Sequence, residues 1–399
     1  MGRPLLVLTL ATMLVAAEPG FIAGVAQAPA VLAAQARLAA AQHQAGASGR
    51  LADPMLGAGY TSKRAGEDRW PVYEVSLEQP LPRWGERDAR GAMASATIQR
   101  RQAEVRDAAG EVAAEVATSV AAAQAAAAKL LVIEDRLART RALEGLATVR
   151  MAAGVIGSAE GLMLRSRLAT LTVERDAMTC DQTDAEQEAR ARLGFTSDQP
   201  LPPFTVPEAA SVVLERVPGL LAAHAMSAEA EARFTEARSA RYPETSVGLR
   251  LEQEQQPGEP MTAIGLEVRV SLPVWTGAIT DNEAAARAEQ RAGRAEAEAW
   301  RFRARAWLAR AERAASIANA ARRAAESAQT RLAAESQALM AATAASNGPG
   351  IIAILEVLDR QSEAALKVIE AEASARLAAA TLWRLAPPDL QPALERPLP

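Results

Sequence analysis

The sequence predicts a mainly α protein with β, built as two tandem repeats, each holding a long helical hairpin and two β-strands. Three observations carry this. A corner motif occurs twice: LEQPLPRWGER at 77–87 and VRVSLPVWTGAIT at 268–280. Each corner opens a helix-forming run of about 70 residues that contains no proline. Each is preceded by strict alternation of apolar and polar residues, the period of a strand with two different faces. An internal repeat of this kind governs the reading of the whole fold.

Composition sets the class. The chain has 399 residues and a formal net charge of −4, which leaves no electrostatic footprint for nucleic acid. Hydrophobic residues make up 49% but aromatics only 4%. The apolar content is therefore mostly Ala, Leu and Val, suited to long helices in close contact. Cys180 stands alone, so no disulfide is expected within the chain, and it reads as a small buried or idle thiol. His43 and His224 lie far apart without supporting ligands, and the methionines form no close cluster, so neither a metal nor a cofactor is expected. With no P-loop and no Ser/His/Asp set, no enzymatic activity is expected.

The amino terminus, MGRPLLVLTLATMLVAAEPGFIAGVAQAPA, has a positive start and an apolar run of about 13 residues, too short to cross a bilayer. Cleavage-type triplets follow at Val15-Ala16-Ala17 and Ala26-Gln27-Ala28. Residues 1–28 read as a signal peptide. No later run of 18 apolar residues occurs, so no transmembrane helix is expected.

A first repeat is expected over 29–199. Its opening helix, from Ala30 to about Ala52, stops at Asp53-Pro54. A short strand over Met55–Lys63 and a polar loop over 64–71 lead to the alternation Tyr73 to Glu78. Pro80, Pro82 and Gly85 break that strand. A helix then runs from Glu86 to Ala153, about 100 Å at 1.5 Å per residue. Gly154 and Gly157 end it, and a return helix covers 158–193, with Gly194 as its cap. PLPPFTVP at 200–207 is a linker. The second repeat, 208–386, replays the order: a helix over 208–241, strands around 246–252 and 264–271, a helix of about 70 residues, a break at 347–350, and a final helix from Ile351 to about Leu385. Residues 387–399 read as a disordered, Pro-rich tail.

The strands have two faces. Tyr73, Val75, Leu77, Val247, Leu249, Leu251, Ile264, Leu266, Val268 and Val270 oppose Glu74, Glu78, Arg250, Glu252, Glu267 and Arg269. A soluble sheet with one wet face gives this pattern too, but behind a signal peptide it also fits membrane strands with apolar residues outward and charges towards a lumen. Four strands cannot close a barrel, and lipid tolerates no unpaired edge, so the chain must oligomerise. Three copies supply twelve strands.

The order helix, two strands, long helix, return helix, twice over, resembles the TolC-like outer-membrane efflux proteins. The corners Pro82, Trp84, Gly85 and Pro273, Trp275, Gly277 resemble that family's junction between β-barrel and helical barrel. Gly154-Val155-Ile156-Gly157-Ser158-Ala159-Glu160 and Gly350-Ile351-Ile352-Ala353-Ile354-Leu355-Glu356 both read Gly, five residues, acid. The second continues Val357-Leu358-Asp359, close to the family's hairpin tip. The corners further resemble the branch serving heavy-metal and other cation exporters.

The resemblance implies a homotrimer with a twelve-stranded barrel in the outer membrane and a long α-barrel in the periplasm. It implies an exit channel for an inner-membrane pump, docked by a periplasmic adaptor at Gly154, Val155, Gly157, Gly350, Ile351 and Leu358. Glu356 and Asp359 match the acidic ring of the periplasmic aperture, and Glu160 the first-hairpin acid that helps hold it shut. The family's Arg within the second Gly-x5 segment is missing here, since 351–355 are all apolar, so Arg150 is the candidate substitute. The alternative is a periplasmic coiled-coil adaptor or scaffold, which would show one hairpin rather than two in tandem.

Overall fold

In the computed structural model, the described residues are 19–65, 67–154, 157–202, 212–255, 258–274, 276–345 and 351–390. Residues 1–18, most of the linker and the last nine residues of the tail lie outside them. The element order is α1 (Pro19–Gln27), α2 (Pro29–Ser48), β1 (Met55–Ala65), β2 (Asp68–Leu81), α3 (Glu86–Ala152), α4 (Ser158–Leu193), α5 (Pro218–Ser239), β3 (Glu244–Gln255), β4 (Pro260–Ser271), α6 (Gly277–Ala345) and α7 (Ile351–Ala380). The duplicated order is present, with α3 at 67 residues and α6 at 69.

The chain folds as two compact units. One comprises 1–33, 106–218 and 303–399, and the other 34–105 and 219–302. In the first unit the central stretch of α3 buries Ala109, Val112, Ala113, Val116, Ala117, Val120 and Ala121, while Glu111 and Thr118 stay exposed. Small side chains allow this. Gly110 faces the backbone of Trp383 so closely that a Cβ there would stand 2.6 Å from its carbonyl oxygen. A window of α3 is apolar and long enough to cross a membrane by composition. Of that window 44% is buried within the chain.

In the second unit α5 lies against α3 between Arg90 and Arg100 and against α6 between Gly293 and Trp300. Gly219 and Gly293 permit the α5–α6 contact: a Cβ on Gly219 would meet the Trp300 ring at 2.6 Å, and one on Gly293 would meet Ser227 Cα at 3.3 Å. Arg90 reaches Glu236 at 3.0 Å and Arg100 reaches Glu229 at 3.3 Å, joining α3 to α5.

Several boundaries differ from expectation, each for a local reason. The opening of the second repeat is helical only from Pro218, after a short 3-10 turn at 214–216. Val217, which precedes that proline, is extended (φ −60°, ψ 123°), as the proline ring requires. Pro29 likewise separates α1 from α2, which bend by 63°. α1 is well packed: Phe21, Val25 and Ala28 are fully buried, and Phe21 stacks on Trp383 at 5.9 Å. The strands are also longer than expected. β2 starts at Asp68 and runs through Pro80 to Leu81, so the loop read at 64–71 is largely strand. Both of its prolines sit near its ends, where losing one N–H is tolerated best. The end of α4 is as expected: Gly194 is left-handed (φ 71°), and its N–H and that of Phe195 close back onto Ala191 and Arg190.

Candidate functional sites: a two-faced open sheet and an inter-helix clasp

The four strands form one antiparallel sheet in the order β1-β2-β3-β4. The two hairpins, almost 200 residues apart in sequence, meet along β2 and β3, with Leu77 opposite Leu249 and Val75 opposite Leu251. β1 and β4 are edges with no partner strand among the described residues. An unpaired edge of 11 or 12 residues is a pairing surface.

Register turns the alternation into two surfaces. On one, Leu56, Tyr60, Tyr73, Val75, Leu77, Leu249, Leu251, Ile264, Leu266, Val268 and Val270 all stand exposed, Leu266 at 77%. Tyr60 and Tyr73 pair across β1 and β2 at 5.6 Å. Soluble monomers rarely leave so broad an aliphatic face bare, and such a face marks contact with lipid or protein.

The other surface is a ladder of ion pairs. Arg250 bonds Glu74. Arg269 bonds Glu78 at 2.6 Å and Glu267 at 3.1 Å. Lys63 bridges Glu252 at 3.2 Å and Glu254 at 2.9 Å, and the Trp70 indole also donates to Glu254. All six lumen candidates thus share one face and bond one another or Lys63. Lys63, Trp70 and Glu254 escaped the sequence reading. Their signal was parity: β1 carries Gly57 and Gly59 where alternation should show, so its polar face reads as blank. Gly57 is needed there, since a Cβ would strike Ser76 Oγ at 2.6 Å.

At the corners, Trp84 is 80% exposed and Gly85 adopts φ 79°, a conformation costly for any other residue, as the chain turns into α3. Pro273 and Gly277 flank the second corner. Trp275 lies outside the described residues.

The hairpin of α3 and α4 is held by Ala147, Leu143 and Leu164, which also receive Leu355 of α7, and by Ile133, Leu137 and Leu171. Gly161 touches Met151, where a Cβ would be 2.9 Å from the methyl group. Gly154 is left-handed (φ 71°) and Gly157 is extended ahead of α4. Val155 and Gly350 lie outside the described residues, as does the side chain of Ile351. Leu358 is buried.

The tip acids are not equivalent. Glu356 is exposed, with only Arg360 one turn away at 3.4 Å. Glu160 is half-buried, and its Oε2 is shielded from solvent without a hydrogen-bond partner. Asp359 is the centre of a clasp. Its Oδ1 accepts from Arg136 Nε at 2.8 Å and Nη2 at 2.5 Å, and its Oδ2 accepts from Arg167 Nη2 at 3.1 Å. One carboxylate therefore ties α7 to both α3 and α4. Arg136 is only 6% exposed, and the hydroxyl of Thr140 caps its carbonyl oxygen. Burial pushes the Asp359 carboxyl above its usual range, with Arg167 pulling the other way. The sequence reading offered Arg150 as the basic partner. The structure places Arg136 and Arg167 there instead. Cys180 is exposed rather than buried.

Residues 25–194 match the model of the outer membrane efflux protein family. No curated protein matches the chain by sequence. Among solved structures, the outer membrane protein VceC of Vibrio cholerae superposes with a TM-score of 0.75 at 17% identity, covering 92% of this chain and 95% of that one. The Campylobacter jejuni CmeC outer membrane channel gives 0.74 at 12% identity, covering 95% and 89%. A membrane protein from Pseudomonas aeruginosa gives 0.75 at 17%, covering 93% and 90%. The fold is that of the TolC-like channels. The chain is thus similar to outer membrane efflux proteins by sequence over residues 25–194, and to solved outer-membrane channels by fold over more than nine-tenths of its length. That family consists of channel proteins rather than enzymes.

Proposed function

We propose that this chain is the outer-membrane exit channel of a tripartite efflux system, passing substrates from an inner-membrane pump across the periplasm to the exterior. The observation that carries this is the open sheet: one face bare and aliphatic, the other laced with ion pairs, and both edge strands without partners. Only closure with further copies satisfies those edges in lipid. Three copies give twelve strands, enough for an aqueous lumen lined by Glu74, Glu78, Arg250, Glu252, Glu267 and Arg269. The helices form the periplasmic part, and the α3–α4 and α6–α7 turns meet the adaptor. Glu356, exposed and lightly paired, contributes to an acidic aperture that favours cations. Asp359 restrains the aperture from behind by holding α7 onto the α3–α4 hairpin, the part first assigned to Arg150. Glu160, with its shielded oxygen, packs beside that turn.

Membrane fractionation followed by native mass measurement tests this. The expected result is a particle of three chains, extracted from the outer membrane only by detergent. A monomer released by osmotic shock would refute it.

A further inference from the structure

Where β2 leaves the sheet and β3 enters it, the chain forms an open cleft of about 500 Å³. Its walls are Leu81, Pro82, Trp84, Tyr242 and Pro243, and Arg83 and Thr245 close it. The helical core and the lumen ladder make no use of it. Trp84 and Tyr242, at its rim, are both exposed.

Register decides what it faces. Leu81 pairs with Thr245, and both continue the odd-numbered rows that hold Leu77, Val75, Leu249 and Leu251. The cleft thus opens on the aliphatic face, not the charged one. Position decides who can fill it. It lies beneath the two central strands, while a second copy pairs through β1 and β4. The neighbouring subunit's strand therefore has no call on it, and the bilayer does.

Chemistry narrows the occupant. Trp and Tyr are the residues that settle where hydrocarbon meets headgroup, apolar body one way and polar tip the other. Two prolines and a leucine make a smooth apolar wall. Arg83 supplies one cation. Its Nη2 bonds Glu244, its peptide N–H donates to Glu86 at 2.8 Å, and its Nε has no hydrogen-bond partner. A guanidinium carries five donors, and one carboxylate oxygen leaves most of them unspent. A phosphate diester completes such a group, and the glycerol chains attached to it suit the wall.

We infer that this cleft is a specific glycerophospholipid site, one per subunit, taking the headgroup phosphate at Arg83 and an acyl chain against Leu81, Pro82, Trp84 and Tyr242. It rests on the proposed placement of the sheet in the outer membrane, and it puts the site at the periplasmic leaflet. The lipid acts there as a fixed wedge at the corner where each strand pair becomes helix.

Native mass spectrometry of the detergent-extracted oligomer, washed progressively free of lipid, reads the stoichiometry. Wild type is expected to retain up to one phospholipid per chain after bulk lipid is gone. Arg83→Gln is expected to lower retention roughly tenfold, the scale of one charge-assisted hydrogen bond, and Trp84→Phe, which trims the apolar wall, to lower it by less, with oligomeric state unchanged in both. As a second reading, reconstitution with chain-brominated phosphatidylglycerol quenches indole fluorescence. The quenched component should be absent in Trp84→Phe. Equal retention in wild type and both variants, or capture of inorganic phosphate without lipid, overturns the site while leaving the channel reading intact. A chain that does not enter bilayers overturns both.

Discussion

At the scale of single residues, Asp359 and Glu356 separate two roles that three positions of spacing make look alike. Glu356 is exposed and paired only within its own helix, so Glu356→Gln should shift stability by no more than about 0.5 kcal/mol. Asp359→Asn leaves Arg136 buried with a weakened partner and should cost about 2–3 kcal/mol in thermal or denaturant unfolding. The same change should raise spontaneous openings in single-channel records, because α7 loses its tie to α3 and α4. pH adds a third reading. Since burial holds the Asp359 carboxyl above its usual range, it takes up a proton at a higher pH than solvated carboxylates do. Acidification should therefore loosen the clasp and increase openings before the surface acids titrate. In Asp359→Asn that pH response should vanish; a mutant that keeps it would assign the response elsewhere.

At the scale of elements, the helix contacts and the strand faces make separate predictions. Gly110→Ala forces a Cβ against the Trp383 carbonyl and should destabilise by about 1–3 kcal/mol, as overpacking does; Gly145→Ala, in open space on the same helix, should not. Leu266→Arg places a charge on the aliphatic face of β4 and should impair membrane insertion by about 2–4 kcal/mol at mid-depth, read as loss of the mature oligomer from the membrane fraction. Glu267→Gln, one residue on and facing the other way, should insert normally. What was legible in the sequence follows the same division. Strict alternation in β2, β3 and β4, and Pro or Gly at each break, revealed the repeat and the lumen set. β1 was harder, because Gly57 and Gly59 erase the polar half of its pattern and hide that Lys63 sits on the charged face. The clasp was illegible. Arg136 and Arg167 are two of many arginines on long helices, and only the packing phase of α3, α4 and α7 brings them to Asp359. The start of α5 was misread because the helix was carried from 208 through Pro218, which is instead its first residue.

At the scale of the whole molecule, one chain supplies half-finished surfaces: an open sheet with two unpaired edges and a wide aliphatic face exposed to solvent. Neither feature suits a finished soluble protein, and both are satisfied by symmetric closure in a bilayer. The match of residues 25–194 to the outer membrane efflux family and the near full-length superposition on outer-membrane channels agree with that completion. The central claim is that three copies form a water-filled pore. Planar-bilayer recording of the purified oligomer tests it most directly. The account predicts discrete conductance steps with cation preference, and larger or more frequent openings in Asp359→Asn. A purified, correctly folded oligomer that produces no conductance in either form would contradict it.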